Sequence, residues 1–223
     1  MNLYTEKSTS YFTNARFDLI KLLPANPENK VLELGSGGGD TLVEIKKRKL
    51  AKEVVGVELM EIPNANQSNP LIDRFILANV ENQDLPLPND YFDAILIGDV
   101  LEHLEDPWKA IAYLSQLLKE GGVFIVSVPN IQFYTAFYKI YIKGNFGYEK
   151  EGLFDKTHLR FFCKKNIEQL FTTPYLKIES ITPIEKVRGD KPSFKSMFNL
   201  LTFKKLEQFL ALQYIVVAKK FNS

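Results

Sequence analysis

An apolar run, Val31-Leu32-Glu33-Leu34, ends in five residues of which four are glycine, Gly35-Ser36-Gly37-Gly38-Gly39. Asp40 and Thr41 then stand ready to cap a helix from about Leu42 to Arg48. This reads as strand, tight turn, helix, and the rest of the chain repeats the alternation. Strand-like runs from Glu53 to Val57, Arg74 to Ala78 and Phe92 to Ile97 end at Glu58, Asn79-Val80 and Gly98-Asp99. Pro107 opens a helix over Trp108 to Lys119, and Gly121-Gly122 turns the chain into a fifth strand, Val123 to Val128. Alternating strands and helices imply parallel pairing with right-handed crossovers, hence an α/β, doubly wound sheet. A helix over Lys164 to Phe171 and runs over Leu176 to Ile184 and Leu210 to Ala218 complete a mainly parallel, seven-stranded sheet with an antiparallel last strand.

Ahead of the first strand, Phe12, Ala15, Leu19, Ile20 and Leu23 fall at helical spacing, and Pro24 ends a leading helix within residues 1–24. Between about 131 and 163 the alternation lapses into a glycine-spaced stretch with ten aromatics from Phe133 to Phe162, read as an insertion over the carboxyl edge of the sheet. No repeat or long linker divides residues 1–223, so a single domain is expected.

A glycine turn between strand and helix lets backbone approach a ligand, but alone it signals no more than a tight turn. The flanking acids sort the ligand. Asp40 stands where a dinucleotide fingerprint needs its third glycine, and Glu33 at the end of the first strand repels a phosphate. The ammonium and sulfonium of S-adenosylmethionine are positive and suit Glu33. Glu58, a little over 20 residues further on, is placed for the hydroxyls of a ribose. With VLELGSGGGD and VVGVE as its first two motifs, the chain resembles the class I S-adenosylmethionine-dependent methyltransferases over nearly its whole length. The resemblance implies a Rossmann-like fold and a cofactor site of Glu33, Gly35, Ser36, Gly37, Gly39, Glu58, Asn79, Val80 and Asp99. Asn79 replaces the usual aspartate; it still offers a carbonyl to the adenine amine and reads equally as a turn residue. Asp99 is implied beside the methionine end. The Tyr11-Phe12-x-x-x-Arg16 segment resembles the helix that folds over the cofactor, with a solvated Arg16 as the other reading.

The acceptor is less legible. Methyl transfer to a hydroxyl or amine needs a base near neutrality, and the chain holds two histidines, His103 in DVLEHLEDPW and His158 in GLFDKTHLRFF. Each also has a structural reading, His158 as a loop-fixing partner of Asp155 or Arg160. These segments and SVPNIQFY resemble a bacterial methyltransferase subfamily associated with polysaccharide and O-antigen biosynthesis, which implies a sugar or glycan acceptor under an acceptor lid. The aromatics suit sugar stacking, an ordinary core, or a face touching a membrane or partner. A small-metabolite, quinone-like acceptor and a non-catalytic cofactor-binding module are the alternatives.

Composition narrows the rest. A net charge of +1 gives no basic face for nucleic acid, and Gly98-Asp99-Val100-Leu101 replaces the Asn/Asp-Pro-Pro-aromatic tetrapeptide of enzymes that methylate base amines. One cysteine, Cys163, excludes an intrachain disulfide; two histidines and one cysteine do not recur at metal-ligand spacing, so no metal is expected. With no leader-like start and no apolar run of ~20 residues, a cytoplasmic protein without a membrane span is expected, peripheral contact aside.

Overall fold

A computed structural model describes residues 14–185 and 206–221. Strands β1 (Lys30–Leu34), β2 (Glu53–Glu58), β3 (Arg74–Leu77), β4 (Phe92–Gly98), β5 (Leu118–Pro129), β6 (Leu176–Ile184) and β7 (Gln213–Lys220) form one sheet in the order β3-β2-β1-β4-β5-β7-β6. β1 pairs in parallel with both β2 and β4, and β4 with β5, while β7 runs antiparallel to β5 and β6. The chain order reverses between β1 and β4, and the crevice at such a switch point is where doubly wound sheets bind ligands.

Alternation along each strand sorts side chains between two cores. Leu32, Leu34, Ile95, Ile97, Phe124 and Val126 pack on one face with Ile111, Leu114 and Leu117 of α3 (Pro107–Leu117) and Phe171 of α5 (Lys164–Phe171). Val31, Val54, Leu96 and Ile125 pack on the other with Leu19 and Ile20 of α1 (Phe17–Ile20) and Leu42 and Ile45 of α2 (Asp40–Lys47). Both faces are covered, which is why these strands read as continuous apolar runs. By the same period of two, Glu33 points to the α1/α2 side with Val31.

Four boundaries differ from expectation. α1 is described only from Phe17, and Tyr11 to Thr13 of the expected leading helix lie outside the described residues. Gly39, at φ 87°, caps α2 in place of Asp40 or Thr41. α3 ends at Leu117, and β5 starts at once: Leu118 pairs with Phe92, Val123 with Ala94, and Gly121-Gly122 bulge between them instead of opening the strand. In the 131–163 insertion, a short helix α4 (Tyr134–Phe137) runs into a π-helical turn (Tyr138–Ile142). α6 (Glu207–Leu210) leads into β7, which begins at Gln213 and not at Leu210. Among the described residues no helix is long and apolar enough to cross a membrane.

Gly56 in β2 sits opposite Glu33 of β1, and a Cβ there would lie 2.8 Å from the Phe75 ring and 2.9 Å from Leu42. Gly56→Ala is expected to cost about 1–3 kcal/mol by overpacking. An unchanged urea midpoint would show that the α2–β2–β3 contact yields more easily than the geometry implies.

Candidate functional site

The carboxyl ends of β1, β2 and β4 open into a cleft of about 740 Å³. Gly35 turns the chain at φ 66°, and a Cβ there would come within 2.3 Å of Val100 Cγ2, so only glycine fits. The amides of Gly35 and Ser36 donate to the Val57 carbonyl at 2.9 and 3.2 Å, which fastens the turn to β2. The Gly37 amide donates to one oxygen of Glu58 (2.8 Å) and the Leu59 amide to the other (2.7 Å). Burial raises the Glu58 pKa against the pull of those amides. The expected residues Glu33, Gly35, Ser36, Gly37 and Glu58 therefore share one cleft wall, while Gly39 lies behind it, closing on Ile72 and the Asn66 backbone.

Glu33 is the electrostatic anomaly. It is 4% exposed, and its Oε2 has no hydrogen-bond partner. Burial pushes its pKa up to about 8; the Thr41 hydroxyl and the Arg16 charge oppose the rise, while Glu58 and Asp40 add to it.

On the β4 side Asp99 adopts φ 56°, and its carboxylate accepts from Arg16 Nη1 (2.8 Å) and Ser127 Oγ (2.7 Å). Arg16 also donates Nε and Nη2 to the two oxygens of Asp18, at 3.0 and 2.9 Å, and Nη2 to Ser127 Oγ at 2.8 Å. Burial would favour discharging the guanidinium, but Asp99 and Asp18 outweigh it and hold the charge. Of the two sequence readings of Arg16, the structure realises the one inside the cleft, with the solvated charge excluded.

Asn79 and Val80 lie further along the cleft. Asn79 Oδ1 accepts the Glu81 amide at 3.0 Å and caps a 3-10 turn, Val80–Asn82. The turn reading and the cleft reading thus hold together, with part of the Asn79 carbonyl already engaged.

The opposite wall is built from the turn Leu101–His103 and the insertion. His103 Nδ1 lies 3.1 Å from the Thr157 carbonyl, and His158 Nδ1 lies 3.2 Å from the Leu153 carbonyl. The two rings meet edge to face with centroids 4.8 Å apart. His158 Nε2 is 3.9 Å from Glu102 Oε1, and both side chains are buried. The His158 ring lies at Leu153 and faces Glu102, and its amide donates to the Asp155 carbonyl at 3.0 Å; the Arg160 side chain reaches the carbonyls of Leu159 and Glu105, and Asp155 Oδ1 accepts from Thr157. One ligand-capable atom from each of Glu102, His103 and His158 falls within 4.8 Å of the others. Spacing along the chain, on which no metal was expected, does not show this convergence of segments 55 residues apart. Glu102, beside His103 in sequence, was the missed residue; an acid and a histidine in one short turn were the signal.

The aromatics divide. Phe154 and Phe162 are buried, whereas Tyr134, Phe137, Tyr138, Tyr141, Phe146 and Tyr148 are exposed.

The folded state holds the Glu33 proton more tightly than the unfolded chain, so its contribution to stability is complete below about 4.5 and lost as pH climbs through about 8. Unfolding of the ligand-free protein followed from pH 5 to 9 is expected to show that decline, and Glu33→Gln to flatten it. A Gln variant with the same slope would assign the decline to other groups.

Residues 10–179 match the methyltransferase-domain family. The C-methyltransferase UbiE of ubiquinone and menaquinone biosynthesis from Vibrio vulnificus is 34% identical over 110 residues, 46% of this chain and 42% of that protein. A ubiquinone biosynthesis O-methyltransferase from Cereibacter sphaeroides is 33% identical over 107 residues, 45% of this chain and 41% of that protein. The matches thus span less than half the length of these curated relatives. The fold is shared with a SAM-dependent methyltransferase from Archaeoglobus fulgidus, at a TM-score of 0.61, 19% identity and 91% coverage of each chain. An S-adenosylmethionine-dependent methyltransferase from Mesorhizobium loti aligns at a TM-score of 0.61 and 18% identity, covering 91% of this chain and 95% of that one. With a match running through more than half of its length, this chain belongs to the methyltransferase-domain family, for which S-adenosylmethionine is the cofactor.

Proposed function

We propose that this protein transfers the methyl group of S-adenosylmethionine to a hydroxyl oxygen of a small, quinone-like acceptor. The observation that carries the reading is the buried Glu33 carboxyl with an orphaned oxygen beside a glycine bend, a short strand away from Glu58. An orphaned buried acceptor fits an ammonium donor, and bringing a cation to Glu33 removes the cost of burying its negative charge. The Arg16 guanidinium fits a carboxylate, so Glu33 and Arg16 together match the two ends of an amino acid zwitterion. Glu58 suits ribose hydroxyls, Asn79 and Val80 an adenine edge, and the Gly35 and Gly37 backbone the close approach between them.

S-adenosylmethionine supplies a methyl carbon already activated on a sulfonium, which leaves alignment and proton removal to the protein. An acceptor lying between the glycine bend and the histidine wall presents an oxygen lone pair to that carbon. As the new C–O bond forms, the C–S bond breaks, its electron pair stays on sulfur, and the hydroxyl proton departs. His103 and His158, each with Nδ1 at a backbone carbonyl, are the two imidazoles on the cleft wall and the candidates to take that proton. The insertion over 131–163 serves as the acceptor lid, contributing Leu153, Asp155 and His158 to the cleft. The printed names of the curated relatives favour the quinone-like acceptor over the glycan that the sequence motifs implied.

Incubation with methyl-labelled cofactor and parallel panels of hydroquinones, catechols and sugar nucleotides tests the reading. Label is expected in the phenolic panel. Label confined to sugars would restore the glycan acceptor, and cofactor uptake without product from any panel would leave a binding module. In His103→Ala, turnover is expected to drop by about 10²–10⁴-fold while S-adenosylhomocysteine affinity stays within about threefold; the reverse pattern would remove His103 from the acceptor side.

A further inference from the structure

We propose that Glu102, His103 and His158 form a binding site for one divalent transition-metal ion, facing the acceptor half of the cleft. Two imidazoles and one carboxylate are a donor set suited to first-row cations such as Mn²⁺, Fe²⁺ or Zn²⁺, and they leave coordination positions open. Three observations carry this beyond proximity.

The first is tautomer control. Both histidines place Nδ1 at a main-chain carbonyl, Thr157 for one and Leu153 for the other. A carbonyl accepts only from Nδ1–H, so each neutral ring keeps its lone pair on Nε2, and this is how metal-binding imidazoles are generally oriented. The second is burial. The side chains of Glu102 and His158 are 2% and 7% exposed, with 3.9 Å between Oε1 and Nε2. A carboxylate and an imidazole lone pair are both electron-rich, and a cation between them gains from each in a setting that water screens weakly. The third is a rigid frame. The Glu102 carbonyl accepts the Leu159 and Arg160 amides at 2.8 and 3.0 Å, which locks the turn carrying Glu102 and His103 to the segment carrying His158.

The donor atoms spread over as much as 4.8 Å, wider than the roughly 3 Å between neighbouring ligands around an ion with ~2 Å bonds. His103 is the least buried of the three, so its side chain has the most room to close that gap. Of the other acids on the cleft, Glu58 is bonded to the Gly37 and Leu59 amides and Asp99 to Arg16 and Ser127.

The role of the ion rests on the methyltransferase reading; its binding does not. A cation held at this wall would attract the acceptor oxygen and lower the pKa of its hydroxyl, so that the proton would pass to solvent with the ion bound and to a histidine without it. Acceptors offering two adjacent oxygens, as catechols and vicinal diols do, would be favoured because both oxygens reach one ion.

The test is titration of chelator-treated protein with Mn²⁺, followed by the loss of the free-ion electron paramagnetic resonance signal, and with Zn²⁺ by calorimetry. One ion per chain is expected, with more than about tenfold weaker binding in Glu102→Gln and in His158→Ala. S-adenosylhomocysteine affinity, measured on the same samples, should change by less than about threefold, which certifies the folded cleft of each variant. Absence of saturable uptake, or uptake that both variants leave intact, overturns the site. A stoichiometric ion without methyl transfer to any acceptor would leave the site standing and count against the proposed activity instead.

Discussion

Close contact between Gly35 and Val100 sets the geometry of the cleft. Parallel pairing of β1 with both β2 and β4 brings three strand ends to one edge, and the chain leaves that edge in opposite directions on either side of β1. Any side chain at position 35 would push the turn after β4 away, since the added atom would overlap Val100. That turn carries Asp99, Glu102 and His103, so one missing Cβ governs the distance between the two walls of the cleft.

Electrostatics then divides the cleft. Seven acidic side chains, Asp18, Glu33, Glu58, Glu81, Asp99, Glu102 and Asp155, border it, with the Arg16 guanidinium bonded to two of them. A buried ion pair seldom adds net stability, because desolvation offsets attraction. Arg16, tied to Asp18, Asp99 and Ser127, is better understood as a preformed anchor whose orientation is fixed before a ligand arrives. Glu33 is the complement, a carboxyl held largely protonated near neutrality by burial, poised to ionise when a cation enters. The site thus stores part of its cost in one residue and releases it on binding.

Much of this was legible in the sequence because it follows local rules. The acids at strand ends and the glycine bend each act within a few residues, and the structure places Glu33, Glu58 and the Gly35 turn on one cleft wall. Boundaries failed where tertiary pairing overrode local signals: Gly121-Gly122 looked like a strand opening and became a bulge because Phe92 could pair with Leu118. Asn79 carried two local meanings, turn former and ligand carbonyl, and its single side chain caps a turn while lining the cleft. Both histidines were named from the sequence, but their meeting was not, for a different reason. His103 and His158 meet only after the insertion has folded back, and no periodicity encodes that return.

The insertion can hold this wall without disturbing the sheet because its ends are joined. Asn130 bridges to Phe162 and the Ile131 amide donates to the Phe162 carbonyl at 2.9 Å, so the excursion leaves and rejoins β5 at nearly one point. Closing a loop of this kind costs little more as it lengthens, since the entropy grows only with the logarithm of its length. Under the proposed function, sequence changes inside it can therefore reshape the acceptor end while β1, β2 and β4 keep the cofactor end fixed. His158 is tied to both segments of its wall, through Leu153 inside the loop and Glu102 on the neighbouring turn, and that double attachment makes the insertion part of the cleft wall and not a cover laid over it.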